Sequence, residues 1–321
     1  AEICLLPLSN ISLAGTLRCF VALIPFFSNL LIALLYALIG LYTSIDAVIL
    51  ICNYITVNYI FFIVFLYIFF GFLLYIFQRR IIFNISGKPH TPEYYSLDGT
   101  KEVFIETTDK IKLLGWFYQG DENKPILVYF HGNSFDIGER AYRIKRYNDA
   151  GFSTLIVAWR GFSGNEGNPT EKNLYLDGKS IVDWVLNNTD FRTQDIINYG
   201  ESLGSGVAVE LNLKYNFLCT VLEAPFTSIV DIADKRYKIY PSKYLVKDKF
   251  DNLSKIDQIK SPFLIISGLR DEVVPHVHSK LLFDKANNPK KSLFIDEAMH
   301  NNLYDFDIEK TVIDFTLDLW K

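Results

Sequence analysis

Residues 199–206 read YGESLGSG, with a single serine, Ser202, held between Gly200 and Gly204. The apolar residues Ile196 to Tyr199 precede it as a strand candidate, and a helical pattern from Leu203 to Lys214 follows. A G-x-S-x-G sequence between a strand and a helix is the context a nucleophile elbow requires. Its logic is steric: a serine held in a strained turn needs small residues two positions before and after it, and Gly206 then lets the helix approach the strand. A serine that only caps a helix would carry the same spelling. The reading of Ser202 therefore depends on its surroundings.

Outward from this stretch, short runs rich in Ile, Val, Leu and Phe recur. Val103 to Thr107 and Leu113 to Tyr118 come first, with turn residues between them, as an antiparallel start. Ile126 to Phe130, Thr154 to Ala158, Ile196 to Tyr199, Val221 to Glu223, Phe263 to Ser267 and Leu293 to Ile295 follow. Helical patterns near Arg140 to Ala150, Glu171 to Asn187, Leu203 to Lys214, Val277 to Ala286 and Ile308 to Trp320 separate them. Continuous apolar strands alternating with helices predict an α/β fold, its mostly parallel sheet covered on both faces. Thr227 to Lys260, rich in Lys, Asp and Tyr, reads as one or two helices over the sheet end. Ligands of such sheets bind beyond the carboxyl ends of the strands, so the loops there are the place to look for chemistry.

A serine hydroxyl needs a base to become a nucleophile, and the base needs an orienting acid. In α/β-hydrolases the three follow in the order Ser, Asp or Glu, His. Asp271, in SGLRDEVVP, follows the strand Phe263 to Ser267, and His300, in DEAMHNN, follows Leu293 to Ile295. Each stands just past a strand's carboxyl end. Glu272 and Asp296 are rivals for the acid, and His276 and His278 for the base; the two histidines follow the acid loop directly, at an expected helix start, and read as solvated. For a developing oxyanion, the expected donors are the backbone amides of Leu203, after the nucleophile, and Asn133, in the His131-Gly132-Asn133-Ser134 loop. His131 reads as a support for that loop.

Charge divides the chain. Three of its 32 basic and two of its 36 acidic residues precede Ile81, leaving 29 and 34 in the remainder, a mixed and mildly acidic surface that offers nucleic acid no footprint. Phe20 to Tyr42 and Ile55 to Phe77 carry no charge. At about 23 residues each they are long enough to cross roughly 30 Å of hydrocarbon. Pro25 leaves the first open as a signal-like or re-entrant segment, so residues 1–80 read as a membrane region with one or two helices and residues 81–321 as the catalytic domain. The loop Thr43 to Tyr54 holds only Asp46, whereas Arg18 precedes the first helix and Arg79-Arg80 follows the second, which favours a catalytic domain in the cytoplasm. Cys4, Cys19, Cys52 and Cys219 show no C-x-x-C spacing, and the chemistry read here calls for no metal and no cofactor.

Beyond the serine motif, HGNSFDIGER, WRGFSGNEGNPTEKNLYLDG, EAPFTSIVDIA, SGLRDEVVP and EAMHNNL, in this order, resemble the membrane-anchored serine hydrolases of the bud-emergence and ABHD type, relatives of the prolyl-oligopeptidase-like α/β-hydrolases. The likeness runs from about Gln78 to the C terminus. It implies an α/β-hydrolase fold with an eight-stranded sheet and no large lid, Ser202 as nucleophile, Asp271 as acid and His300 as base. With it, the expected substrate is an ester or thioester, on a lipid or an acylated protein; a serine peptidase of the same fold and a non-catalytic membrane-anchored scaffold are the alternative readings. Two residues depart from the family pattern: Ala298-Met299 precedes His300 where a glycine is common, and Trp159 precedes Arg160-Gly161.

Overall fold

The computed structural model describes residues 45–85 and 87–320. The apolar segment from Phe20 to Tyr42 lies outside them. The chain forms two compact units, one ending at Phe70 and one running from Gly71 to Lys321.

The first described element, α1 (Ile45–Ile82), is a single helix of 38 residues. It begins ten residues earlier than the charge-free run suggests, because nothing between Ile45 and Tyr54 is a proline or glycine, and it takes in most of the expected connecting loop. Arg79 and Arg80 lie in its last turn instead of beyond its end, where two cations complement the exposed carbonyls. Cys52–Ile82 is the one stretch among the described residues long and apolar enough to cross a membrane, and Phe61, Ile63, Ile68 and Phe72 are all exposed along it. Its 31 residues amount to about 46 Å of helix.

The second unit is built on eight strands, β1 (Lys101–Glu106), β2 (Lys112–Tyr118), β3 (Ile126–Phe130), β4 (Ser153–Val157), β5 (Ile196–Glu201), β6 (Cys219–Glu223), β7 (Phe263–Gly268) and β8 (Lys290–Ile295). They form one sheet in the order β1-β2-β4-β3-β5-β6-β7-β8. β2 is antiparallel to β1 and β4; all other pairs are parallel. The mostly parallel eight-stranded sheet expected from the sequence is therefore present.

Helices cover both faces. Val128, Leu155, Ile196, Leu222 and Ile265 share one buried cluster with residues of α3 (Glu171–Asn188), α4 (Leu203–Asn212) and α7 (Val277–Lys285). Their neighbours in sequence, Leu127, Ile156, Ile197, Val221, Leu264 and Ile266, share the other with α2 (Ala141–Asp149) and α8 (Ile308–Leu319). Successive strand residues point to opposite faces, so two buried faces demand runs that are apolar throughout. The ambiguous stretch after β6 holds two short helices, α5 (Ile229–Arg236) and α6 (Ser242–Leu245). α5 starts where Ser228 caps the amide of Asp231, at 3.0 Å.

Candidate active site

Four loops converge at the carboxyl edge of the sheet, those after β3, β5, β7 and β8. Ser202 leaves β5 with φ 48° and ψ −111°, a left-handed backbone that non-glycine residues rarely adopt. The turn can be this tight because its neighbours lack side chains. A Cβ on Gly200 would sit 2.7 Å from Ser205 Cα, and one on Gly204 would collide with the carbonyl of Phe130 at the end of β3. Gly206 has a different role from the one its position suggested: its missing side chain makes room for the ring of Phe250, 2.6 Å from where a Cβ would stand.

The Ser202 side chain caps no helix amide. Its Oγ lies 3.1 Å from His300 Nε2, and His300 Nδ1 lies 2.7 Å from Asp271 Oδ2. A carboxylate can only accept, so His300 Nδ1 donates to Asp271, and in the neutral imidazole Nε2 is then the acceptor that faces the serine. Asp271 is held in turn by the amides of Val273 and Val274, which donate to Oδ1 at 2.9 and 2.8 Å.

The rivals fall away by position. Glu272 and Asp296 are exposed, and His276 lies beside the Leu269 carbonyl. His278 is buried, contrary to the expectation of a solvated side chain, because the second residue of α7 turns inward and meets Thr227 Oγ1 at 2.8 Å. Met299, directly before His300 where a glycine is common, is exposed and so needs no room in the interior, while Gly268 lets the same loop approach β7: a Cβ there would strike the Ala298 carbonyl.

On the β3 side, Asn133 and Leu203 line the same cavity as Ser202, and among the described residues no hydrogen bond occupies either backbone amide. The amide of Gly132, by contrast, donates to Glu201 Oε2 at 3.2 Å. Glu201 is the pairing that motif reading missed. It stands as the variable residue before Ser202, yet it is buried and bidentate with Arg140, at 3.0 and 2.9 Å. Arg140 also donates to the Ser134 carbonyl. Burial raises the Glu201 carboxyl, but Arg140 and Arg143 outweigh it and hold the group below the usual carboxylate range. The pair thus ties the serine turn to the loop that carries Asn133. An acidic residue closing an apolar strand, with an arginine in the loop after β3, was the only signal available.

His131 supports that loop. Its Nδ1 donates to the Gly132 carbonyl at 2.7 Å, its Nε2 accepts from the Trp159 amide at 3.2 Å, and Trp159 Nε1 donates to the His131 carbonyl at 3.0 Å. Burial, helped by the charge of Arg140, lowers its pKa from 6.5 to about 3. Below pH 6.5 the unfolded chain therefore takes up a proton here that the folded chain refuses, and stability drains away as the pH falls towards about 3. This group alone contributes a slope of up to about 1.4 kcal/mol per pH unit. Thermal melts between pH 6 and 4 should show a shallower dependence in His131→Asn than in wild type; parallel curves would contradict this assignment.

A cavity of about 210 Å³ opens over Ser202, walled chiefly by apolar side chains such as Phe226, Ile229, Ile232 and Val274.

Comparison with known proteins places the chain in a family. No family model matches the chain. It is 32% identical over 207 residues to the human alpha/beta hydrolase domain-containing protein 17B, covering 63% of this chain and 70% of that one. The chain belongs to the alpha/beta hydrolase domain-containing family. An uncharacterized protein of Mycobacterium tuberculosis is 30% identical to this hydrolase over 227 residues, covering 70% of this chain and 81% of its own. In fold it is similar to the Pyrococcus furiosus esterase Pf2001, with a TM-score of 0.61 at 23% identity, over 74% of this chain and 98% of the esterase.

Proposed function

We propose that this hydrolase is a membrane-tethered serine hydrolase that cleaves an ester or thioester through an acyl-enzyme. The observation that carries the reading is the unbroken line Ser202 Oγ, His300 Nε2, His300 Nδ1, Asp271 Oδ2, with gaps of 3.1 and 2.7 Å, at the mouth of an apolar cavity. His300 takes the serine proton as Oγ attacks the acyl carbon, and the Asn133 and Leu203 amides receive the oxyanion. The proton then passes to the departing alkoxide or thiolate, leaving the acyl group on Ser202. Water, deprotonated by His300, attacks the ester so formed; the acid is released and the serine regains its proton.

The apolar span Cys52–Ile82 supports tethering, and Arg79 with Arg80 favours a catalytic unit on the cytoplasmic side. An acyl chain suits the cavity better than a peptide does, since its lining offers few polar partners for an amide backbone.

The test is labelling of the detergent-solubilised protein by a fluorophosphonate, with Ser202→Ala and His300→Ala alongside. Wild type is expected to label and both variants to remain blank. Folded wild-type protein that takes no label would overturn the serine-hydrolase reading.

A further inference from the structure

One wall of the cavity over Ser202 has no role in the steps above. It is formed by the last three turns of α1, within the unit that begins at Gly71. Leu74, Tyr75, Gln78, Ile81 and Ile82 line the space. Their spacing of i, i+1, i+4, i+7 and i+8 puts them on one side of a helix. Ile229, Ile232 and Ala233 of α5, and Leu245 of α6, line the same cavity. Gly71 lets α1 approach Tyr240, since a Cβ there would lie 2.8 Å from the Tyr240 ring.

Hydrogen bonds fix this helix end to the rest of the unit. Gln78 Nε2 donates to the Leu245 carbonyl at 3.1 Å, and its Oε1 accepts from the Lys247 amide at 2.8 Å. Arg79 Nε donates to Asp248 Oδ2 at 2.7 Å. The Asp248 side chain is 4% exposed, and its other oxygen accepts from the Glu171 amide, at 2.9 Å, at the start of α3. A buried carboxylate with partners from two helices resists displacement, because pulling the Arg79 side chain away leaves its charge unpaired. The Lys247 ammonium also rests 3.8 Å from the centroid of the Tyr75 ring.

The cavity thus brings Ser202, Asn133 and Leu203 together with aliphatic side chains from the end of α1 and from α5 and α6. The occupant that matches is an unbranched acyl chain, with its carbonyl at Ser202 and its methylenes along these side chains; each methylene taken from water contributes about 0.8 kcal/mol. We propose that Leu74, Ile81 and Ile82 are specificity-determining residues that select the acyl chain by length, so that the apolar helix is a wall of the acyl site as well as a tether. This inference rests on the serine-hydrolase reading.

The experiment is a p-nitrophenyl ester series from C2 to C16, in detergent micelles, on wild type, Leu74→Trp and Ile232→Trp. An indole placed at either position should fill the cavity and lower the ratio of kcat/KM for C16 over C4 by at least tenfold. Because the two variants perturb different helices, a folding failure in one leaves the other informative, and labelling by a small fluorophosphonate reports in each sample whether the serine remains activated. The C16 chain is also offered as an S-acyl cysteinyl peptide and as a monoacylglycerol; the loss should follow whichever of these wild type cleaves, which identifies the source of the chain. Labelled variants with the wild-type chain profile would overturn the wall. A wild type that neither labels nor turns over C2 would overturn the serine-hydrolase reading, and the wall with it.

Discussion

Ser202→Ala is expected to lower ester hydrolysis roughly 10⁴- to 10⁶-fold, the range that follows when the nucleophile of a cooperating triad is removed. Stability should hardly change. The substitution deletes one hydroxyl whose side-chain partner is a half-buried histidine, and alanine meets the same backbone cost at φ 48° that serine does. His300→Ala should cost nearly as much activity, and the double variant little more than either, because the groups act as a unit. Asp271→Asn tests the third member separately. An amide can donate to Nδ1 where the carboxylate only accepts, which favours the wrong tautomer and leaves Nε2 protonated. Initial rates on a short-chain ester, with a thermal melt of each variant, decide the matter. Ser202→Ala within tenfold of wild type would remove the serine from the chemistry.

Arg140→Met carries the largest expected effect on the fold. It strips Glu201 of its bidentate partner while leaving the carboxylate buried, with the Gly132 amide and the Tyr129 hydroxyl, at 3.2 and 3.1 Å, and the more distant Arg143 guanidinium, at 3.5 Å, as its remaining partners. Breaking a buried ion pair from one side typically costs about 3–5 kcal/mol. For a unit of this size that is a fall in Tm on the order of 10 °C. Turnover should fall as well, since the same arginine holds the Ser134 carbonyl and so the loop on which Asn133 sits. Pairing the change with Glu201→Gln removes the charge that has lost its closer partner and should recover part of the lost Tm, whereas two independent sites would add their losses. Calorimetry of the two single variants and the double variant separates these cases. An Arg140→Met protein melting within about 2 °C of wild type would show that the pair does not hold the turn.

What was legible in the sequence was what local chemistry enforces. Strands buried on both faces must be apolar throughout, so β3 was read to the residue at Ile126–Phe130 and the other strands to within a few residues. The serine turn was legible because a backbone at φ 48° between a strand and a helix demands glycine at 200 and 204. Asp271 and His300 could be named because each follows a strand whose carboxyl end must face the site. Boundaries set by helix ends were less legible: the charge-free run from Ile55 to Phe77 marked what is apolar, not where the helix stops, and α1 continues through Arg79 and Arg80.

The remainder depends on contacts between residues far apart in the chain. Glu201 and Arg140 are 61 residues apart, and beyond the place of Glu201 at the end of an apolar strand nothing in the sequence pairs them. His278 was read as solvated because it follows the acid loop directly, at an expected helix start, and nothing local signals that its side chain turns under Thr227. The wall facing Ser202 joins α1 to a segment about 165 residues later, through Gln78 with Leu245 and Arg79 with Asp248, at 167 and 169 residues' separation. The sequence alone determined the alternation of elements and the three residues in line at the sheet edge, because periodicity and turn sterics act over a few residues. Which charges were buried together, and which face of the apolar helix turned towards the cavity, only the tertiary structure decided, because burial is a property of what packs against a residue and not of the residue itself.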